Sequence, residues 1–373
     1  MSCQVAQIIY STHMNTGPSH SNILRVLTSI PPACSEAEAV AIAADDYGIK
    51  AKVRPLVSER DQNFELCAQD GGRYVLKISN HAEHLKVIDF QNQALIYAAA
   101  RDASIPLPRV IPALSGQLHT RVKIAGQSPG KSPGTSHFVR VLSWLDGSGI
   151  HETTVGHELA RQMGQLLARL GIALQGFEHP GSNPPLLWDM KRAAGLADLL
   201  IHIEEPGLRL LIGQTLDTFI SQVQPEFAKL RTQVIHNDMN PGNVLMDKAN
   251  PHQISGLIDF GDMTRSPLVI DLAVAAAYQL SEGSDPLAGA LPIIAGYHTI
   301  EPLQDKEMAL LTNLIRTRLI TSLLIGSYRS ILFPENREYL LISHHSAKNF
   351  LVNLAPLAAD EALARIREAC LSA

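Results

Sequence analysis

Two short segments hold the residues best suited to chemistry. The first is His236-Asn237-Asp238-Met239-Asn240-Pro241-Gly242-Asn243, and the second is Ile258-Asp259-Phe260-Gly261-Asp262, with Asp259 sixteen residues after Asn243. Moving a phosphoryl group to a hydroxyl needs a carboxylate at the hydroxyl proton and oxygen ligands that hold Mg²⁺ against the phosphates. Asp238 and Asn243 share one tight loop, and Asp259 ends the second strand of a hairpin, so three proton or metal ligands converge. Asn, Asp, Pro and Gly in series also suit a plain turn. Either half alone reads as well that way, but H-x-D-x-x-x-x-N joined to D-F-G does not.

For these residues to meet, the chain between them must fold back once. Val244–Met246 and residues 254–260 read as that hairpin, turning at Asn250-Pro251. Far upstream, Ser35 with Glu38 makes a capping box ahead of the Ala-rich run 37–47, and Gly48 supplies the stop. Strand patterns follow at 52–56, 63–68 and Arg73–Ile78, the last two joined by Gln69-Asp70-Gly71-Gly72. A helix is expected at about 84–100, then strands near 109–112 and 137–142. Between these strands the Gly-, Ser- and Pro-rich tract 126–136 reads as a mobile loop. From about Thr154 the pattern turns helical apart from the one hairpin. The expected fold is α+β: a mostly antiparallel β lobe, then a helical lobe.

Composition narrows the class. A chain of 373 residues, at roughly 150 per domain, predicts two domains or one with a large second lobe. Charged residues are 18% and the apolar set 46%, with 25 Gly and 22 Pro, which excludes long disorder, collagen and low complexity. The net charge of −5 advertises neither a nucleic-acid nor an acidic-membrane partner. Cys3, Cys34, Cys67 and Cys370 are scattered, with no C-x-x-C and no zinc or disulfide spacing, as in a reduced, cytoplasmic chain. No apolar run approaches the roughly eighteen residues that cross a bilayer, and the first thirty residues lack a signal pattern. Residues 1–33 mix Ser, Thr, Asn, His and Pro without a period and read as a loosely ordered leader. The pair His344-His345 has no second ligand set and reads as surface or capping.

At its two motifs the sequence resembles the kinase-like fold of the aminoglycoside and choline phosphotransferases, whose parts the protein-kinase signature shares. Within that group it is most similar to hydroxylysine kinases and their bacterial relatives. The strings concerned are Ser58-Glu59-Arg60-Asp61-Gln62-Asn63-Phe64, Tyr74-Val75-Leu76-Lys77-Ile78, Trp188-Asp189, Leu257 to Met263, and Pro334-Glu335-Asn336 with Tyr339-Leu340. The resemblance runs from about residue 36 to 355. It implies a protein-kinase-like, two-lobed fold with a nucleotide-covering lobe at 34–145 and a helical lobe with the substrate pocket at 146–373.

By the same resemblance Asp238 is the catalytic base or orienting carboxylate. Asn243 and Asp259 hold Mg²⁺, and Lys77 pairs with the phosphates of ATP or GTP. His236 braces the catalytic loop, and Asp271 is a structural aspartate behind it. Backbone groups near Leu142 to Trp144 bond the purine, and Asp262 orients the loop or faces the substrate. Two departures stand out. Residues 58–63 contain no glycine, so Ser58, Asn63 and backbone N–H groups are expected to cover the phosphates. The helix after Lys77 lacks the usual glutamate and offers Asp89, Gln91 or Gln93.

Arg316, Arg318 and Arg329 lie in one apolar stretch, 310–332, where an arginine suits a substrate carboxylate. Arg318 is preferred because it matches the family's arginine ahead of Ser322-Leu323. A carboxylate anchor favours a hydroxy-amino acid such as 5-hydroxylysine over a polycationic aminoglycoside. The expected acceptor is a hydroxy-amino acid or amino alcohol, with aminoglycoside, choline or ethanolamine, and homoserine as alternatives. A monomer or homodimer with no nucleic-acid or membrane partner is expected. Two rivals are an inactive nucleotide-binding module, opposed by the intact Lys77, Asp238, Asn243 and Asp259, and a protein kinase. Against the latter stand the missing glycine-rich loop and the absence of room for an activation loop after Asp262.

Overall fold

The computed structural model describes residues 31–58, 60–124, 135–150 and 155–372. Most of the expected leader and most of the tract 126–136 lie outside these residues.

Helix α1 (Glu36–Tyr47) starts where the capping box puts it. The Ser35 hydroxyl accepts the Glu38 N–H at 3.2 Å, and the Glu38 carboxylate accepts the Ser35 N–H at 2.8 Å. Gly48 ends the helix at φ +70°, a conformation open to glycine at little cost. Ala39, Ala43 and Tyr47, four residues apart on one face, are buried against an antiparallel six-stranded sheet. Its strands are β1 (Ala51–Leu56), β2 (Gln62–Ala68), β3 (Arg73–Ile78), β4 (Val110–Ile111), β5 (Thr120–Ile124) and β6 (Thr135–Ser143), in the order β1-β2-β3-β6-β4 with β5 also on β6. Helix α2 (Leu85–Arg101) connects β3 to β4. Strand β5 was not expected from sequence. Its alternation is shallow because Arg121 and Lys123 face solvent and Thr120 and Val122 are only half-buried.

Register matters more than strand count here. Lys77 stands opposite Asn63 on one side and Arg140 on the other, so these three side chains leave one face of the sheet. Leu76, Ile78, Val139 and Val141 leave the other face and pack with α1 in the smaller core. Two cations therefore share the polar face.

The rest of the chain builds the larger lobe. It comprises β7 (Ser148–Gly149), α3 (His157–Leu174), a 3-10 helix (Met190–His202), α4 (Pro206–Thr218), β8 (Thr232–Ile235), β9 (Val244–Met246), β10 (Ile254–Leu257), β11 (Thr264–Pro267), α5 (Leu268–Ala277), α6 (Ala290–Ile300), α7 (Asp305–Leu332), α8 (His344–Leu354) and α9 (Ala359–Leu371). Its core takes in Phe90, Ala94, Leu95 and Ala98 of α2, so that helix is packed on the larger lobe although it springs from the smaller sheet.

Three sequence expectations change. The helical lobe holds more strand pairing than one hairpin, since β8 pairs with β11 around the β9–β10 hairpin and β7 extends that hairpin. Strand β10 ends at Leu257 rather than Phe260, because Asp259 turns left-handed at φ +59° and breaks the extended path. Helix α7 is long and apolar enough to cross a bilayer by length and composition, yet 72% of its apolar window is buried within the protein, as befits a core helix.

Helices α3 and α6 cross in close contact through reciprocal glycines. A Cβ on Gly164 would stand 2.0 Å from the Ile293 carbonyl oxygen, and one on Gly296 would stand 2.1 Å from that of Arg161. Backbone cannot retreat without parting the helices, so Gly164→Ala should cost at least about 2 kcal/mol through overpacking. A denaturant titration showing an unchanged midpoint in that variant would refute the contact.

Candidate active site

The loop His236–Asn243 begins as β8 ends. Asn237 sits left-handed at φ +66°, where asparagine is among the better-tolerated residues. Asp271, in the first turn of α5, holds this backbone: its carboxylate accepts the N–H groups of His236 at 3.0 Å and Asn237 at 2.7 Å. Burial pushes the Asp271 carboxyl up to about 6 against the pull of those two amides. The Asn237 side chain donates to the Asp262 carbonyl at 3.2 Å, which ties the first motif to the second.

His236 is buried between the two motifs. Its Nδ1 accepts the Asp238 N–H at 3.2 Å, which leaves Nε2 as the protonated nitrogen, donating to the Ile258 carbonyl at 3.2 Å. Burial lowers its pKa to about 4, so the ring is neutral, and it stands edge-on to Phe260 at 4.7 Å. It positions the loop and has no free nitrogen for proton transfer.

Three donors orient the Asp238 carboxylate. Oδ2 accepts from Asn240 Nδ2 at 2.9 Å and Asn243 Nδ2 at 2.8 Å, and Oδ1 accepts from Arg318 Nη2 at 3.3 Å. Burial, and then the neighbouring Asp262 charge, push its pKa up to about 7, against the lowering pull of Arg318.

Asn243 turns Nδ2 toward Asp238 and so presents Oδ1 as an acceptor, while its carbonyl takes the Ile258 N–H at 2.9 Å, next to Asp259. Asp259 accepts Lys77 Nζ at 3.3 Å and the Gly261 N–H at 3.2 Å. The Lys77 charge is the main reason its pKa falls to about 2. About half of its side chain, 51%, opens to the cleft. An ionised carboxylate beside an amide oxygen fits Mg²⁺, which keeps most of its shell for phosphates and water. Among the described residues no cluster of three His, Cys, Asp or Glu offers a self-contained metal cage.

The helix after Lys77 supplies neither Asp89 nor a glutamine to that lysine. Asp89 pairs with His179 at 3.1 Å, and Gln91 and Asn92 accept Arg140 at 2.5 and 3.1 Å. The register explains this: Arg140, buried beside Lys77, needs acceptors, and two neutral amides take its Nη1 and Nη2 while its Nε has no partner. Gln91 Nε2 also donates to the Gly261 carbonyl at 3.0 Å, joining α2 to the D-F-G turn. Lys77 is left to Asp259.

Other expected residues are placed as follows. The Ser58 hydroxyl donates to the Asp61 carbonyl at 2.6 Å and shapes its own loop, so a phosphate would meet the Ser58 N–H instead. Asn63 has a buried, unpaired Oδ1. The Leu142 side chain belongs to the larger core. The Trp144 indole lies 4.3 Å from the Arg73 guanidinium, and the Trp144 backbone N–H donates to the Arg73 carbonyl at 3.0 Å. The Ser143 N–H is likewise taken by Arg109, so a purine here would meet carbonyls or a neighbouring amide. Asp262 faces Arg60, at 2.8 Å.

Of the three arginines on α7, Arg316 donates to the Leu354 and Leu357 carbonyls and caps the end of α8, and Arg329 is buried beside Phe333. Only Arg318 of the three touches the catalytic loop. Sequence reasoning missed its companion Tyr278, whose hydroxyl takes Arg318 Nη2 at 3.0 Å, and gave no role to Trp188, quoted there only for the resemblance, whose ring lies 5.3 Å from the guanidinium. It also assigned nothing to Arg60, though Arg60 stands in the quoted loop string. The site thus contains three carboxylates, each with one cation: Asp259 with Lys77, Asp262 with Arg60, and Asp238 with Arg318.

Residues 52–305 match the profile of the phosphotransferase enzyme family, APH. The chain belongs to that family. This phosphotransferase is 30% identical to hydroxylysine kinase of Mus musculus over 335 residues, covering 84% of the chain and 88% of the relative. It is 26% identical to homoserine kinase of Gluconobacter oxydans (strain 621H) over 281 residues, covering 74% and 81%. Its fold is similar to that of the amicoumacin kinase hAmiN, solved with AMP-PNP, Ca²⁺ and Ami. The TM-score is 0.61 at 16% identity, over 82% of this chain and 93% of that one. The phosphotransferase has the protein-kinase-like fold and is an enzyme that transfers phosphate to the hydroxyl of a small molecule.

Proposed function

We propose that the enzyme moves the γ-phosphoryl of a purine nucleotide, ATP or GTP, to the hydroxyl of a hydroxy-amino acid of the 5-hydroxylysine type. Arg318 carries this reading. It is 3% exposed and bonded through Nη2 to Asp238 and Tyr278, while Nη1 and Nε have no partner. Buried unpaired N–H groups are costly, and a substrate carboxylate reaching Nη1 would satisfy one of them with a charge-assisted bond. Because Asp238 marks the acceptor hydroxyl, the anion on Arg318 belongs to the same small molecule. Choline, ethanolamine and aminoglycosides lack that carboxylate. Homoserine has it, one carbon nearer its hydroxyl, and the Gluconobacter relative keeps it as the second reading.

Catalysis is then positioning and charge neutralisation. Asp238 orients the hydroxyl and accepts its proton. Lys77 and the loop carrying Ser58 and Asn63 face the phosphates, and backbone near Leu142 and Trp144 lines the base. Mg²⁺, held by Asp259 and Asn243 Oδ1, would offset phosphate charge.

A nucleotide-diphosphate release assay over 5-hydroxylysine, homoserine, ethanolamine, choline and an aminoglycoside, with each nucleotide, tests the assignment. Turnover is expected with the hydroxy-amino acids. Turnover of choline or aminoglycosides with no hydroxy-amino acid active would sink it. Arg318→Ala should raise the acceptor KM by about 100-fold, the worth of a charge-assisted pair, and should no longer distinguish the acceptor from its decarboxylated analogue.

A further inference from the structure

The loop between β1 and β2 has no glycine to bring backbone amides onto phosphate, and it puts an arginine at the cleft instead. We propose that Arg60 is the residue that reads the triphosphate, leaving Asp262 to pair with the terminal phosphate of the bound nucleotide. This rests on the nucleotide reading of the same site.

Arg60 crosses from the smaller lobe to Asp262 in the D-F-G turn at 2.8 Å, with the two side chains 24% and 17% exposed. Its backbone is fixed from behind. The Arg60 carbonyl accepts Asn80 Nδ2 at 3.1 Å, the Asp61 carboxylate accepts the Asn80 N–H at 2.9 Å, and Ser58 closes the loop on the Asp61 carbonyl. Asn80 lies three residues beyond Lys77, so Arg60 and Lys77 are anchored on one strand end. The two cations nevertheless address different carboxylates. Lys77 meets Asp259, which fits the metal position. Arg60 meets Asp262, whose charge bears directly on Asp238 and hence lies toward the acceptor. Along a nucleotide laid between the lobes, Lys77 serves the inner phosphates and Arg60 the reacting end.

The exchange is chemically reasonable. Resting carboxylates keep each cation paired while the cleft is empty of phosphate. An arginine fork binds phosphate oxygens in two-point fashion and cannot lose its charge. A glycine-poor loop gains through that side chain what a glycine-rich one obtains from close backbone approach.

The test is the affinity of a non-hydrolysable nucleoside triphosphate, the diphosphate and the monophosphate, titrated calorimetrically into wild type, Arg60→Gln, Arg60→Lys and Asp262→Asn, each checked for an unchanged melting temperature. Arg60→Gln should weaken the triphosphate by about 10- to 100-fold while moving the mono- and diphosphate by less than about threefold. Arg60→Lys should fall between, and Asp262→Asn should keep the triphosphate preference. Equal losses for all three nucleotides in Arg60→Gln, or no loss, would overturn the inference. So would Asp262→Asn erasing the preference, since the pair would then be a latch between lobes. Wild type binding none of the three would instead overturn the nucleotide reading itself, and this inference with it.

Discussion

Asp238→Asn is expected to lower kcat by about 10³-fold, within the roughly 10²–10⁴ that a positioned base contributes, while nucleotide affinity stays within a few-fold. The substitution preserves shape, and an amide oxygen can still accept from Asn240 or Asn243. What it removes is the counter-charge of Arg318 and, on the proposed mechanism, the group that takes the hydroxyl proton. The nucleotide loses no ligand, because Asn243 Oδ1 and Asp259 remain. The pH profile gives an independent signature. With the Asp238 pKa raised toward 7 by burial and by Asp262, the base is ionised above that value and protonated below it, so wild-type kcat/KM should fall as pH drops through it. A metal ion bound beside it would move this limb lower. The limb should be missing from the residual activity of the variant. Single-turnover kinetics at wild-type rate in Asp238→Asn would remove Asp238 from its role.

Asp259→Ala should cut kcat/KM for the nucleotide by at least about 10³-fold and shift the Mg²⁺ requirement to much higher concentration, because one change deletes the carboxylate proposed to hold the metal and frees Lys77 from its partner. Stability should also fall, by about 1–3 kcal/mol, since the carboxylate is half open to the cleft but the Lys77 side chain, 11% exposed, is left without its counter-charge. The paired variant Lys77→Ala with Asp259→Ala should lose less than the two single losses multiplied, as groups in direct contact couple. Magnesium titrations of the nucleotide-dependent rate in the four forms decide it. Fully multiplicative losses would show that Lys77 and Asp259 act on separate steps.

These expectations differ in how far sequence alone could reach them. The loop His236 to Asn243 and the D-F-G turn were legible because their residues are contiguous and their types are dictated by chemistry. The capping box at Ser35 and the stop at Gly48 were legible because they depend on neighbours three or four residues away. Strands β8 and β11 were missed because each is four residues long and exists only by pairing with the other. The partner of Lys77 was missed for a related reason. Its neighbour Arg140 comes from β6 by register, and that second cation claims the amides of α2.

Sequence by itself determined which groups meet in the site: the Asp238 carboxylate, Asn243 with Asp259, the Lys77 ammonium, and a phosphotransferase fold to carry them. Tertiary structure alone decided which charge faces which. Lys77 reaches Asp259 across 182 residues, Arg60 reaches Asp262 across 202, and Arg318 reaches Asp238 across 80. Local propensity extends over a few residues, whereas an ion pair depends on distance and burial in the folded chain. That is why Arg318, preferred in the sequence only by a resemblance, was set apart from Arg316 and Arg329 by its contacts only once their partners were in view.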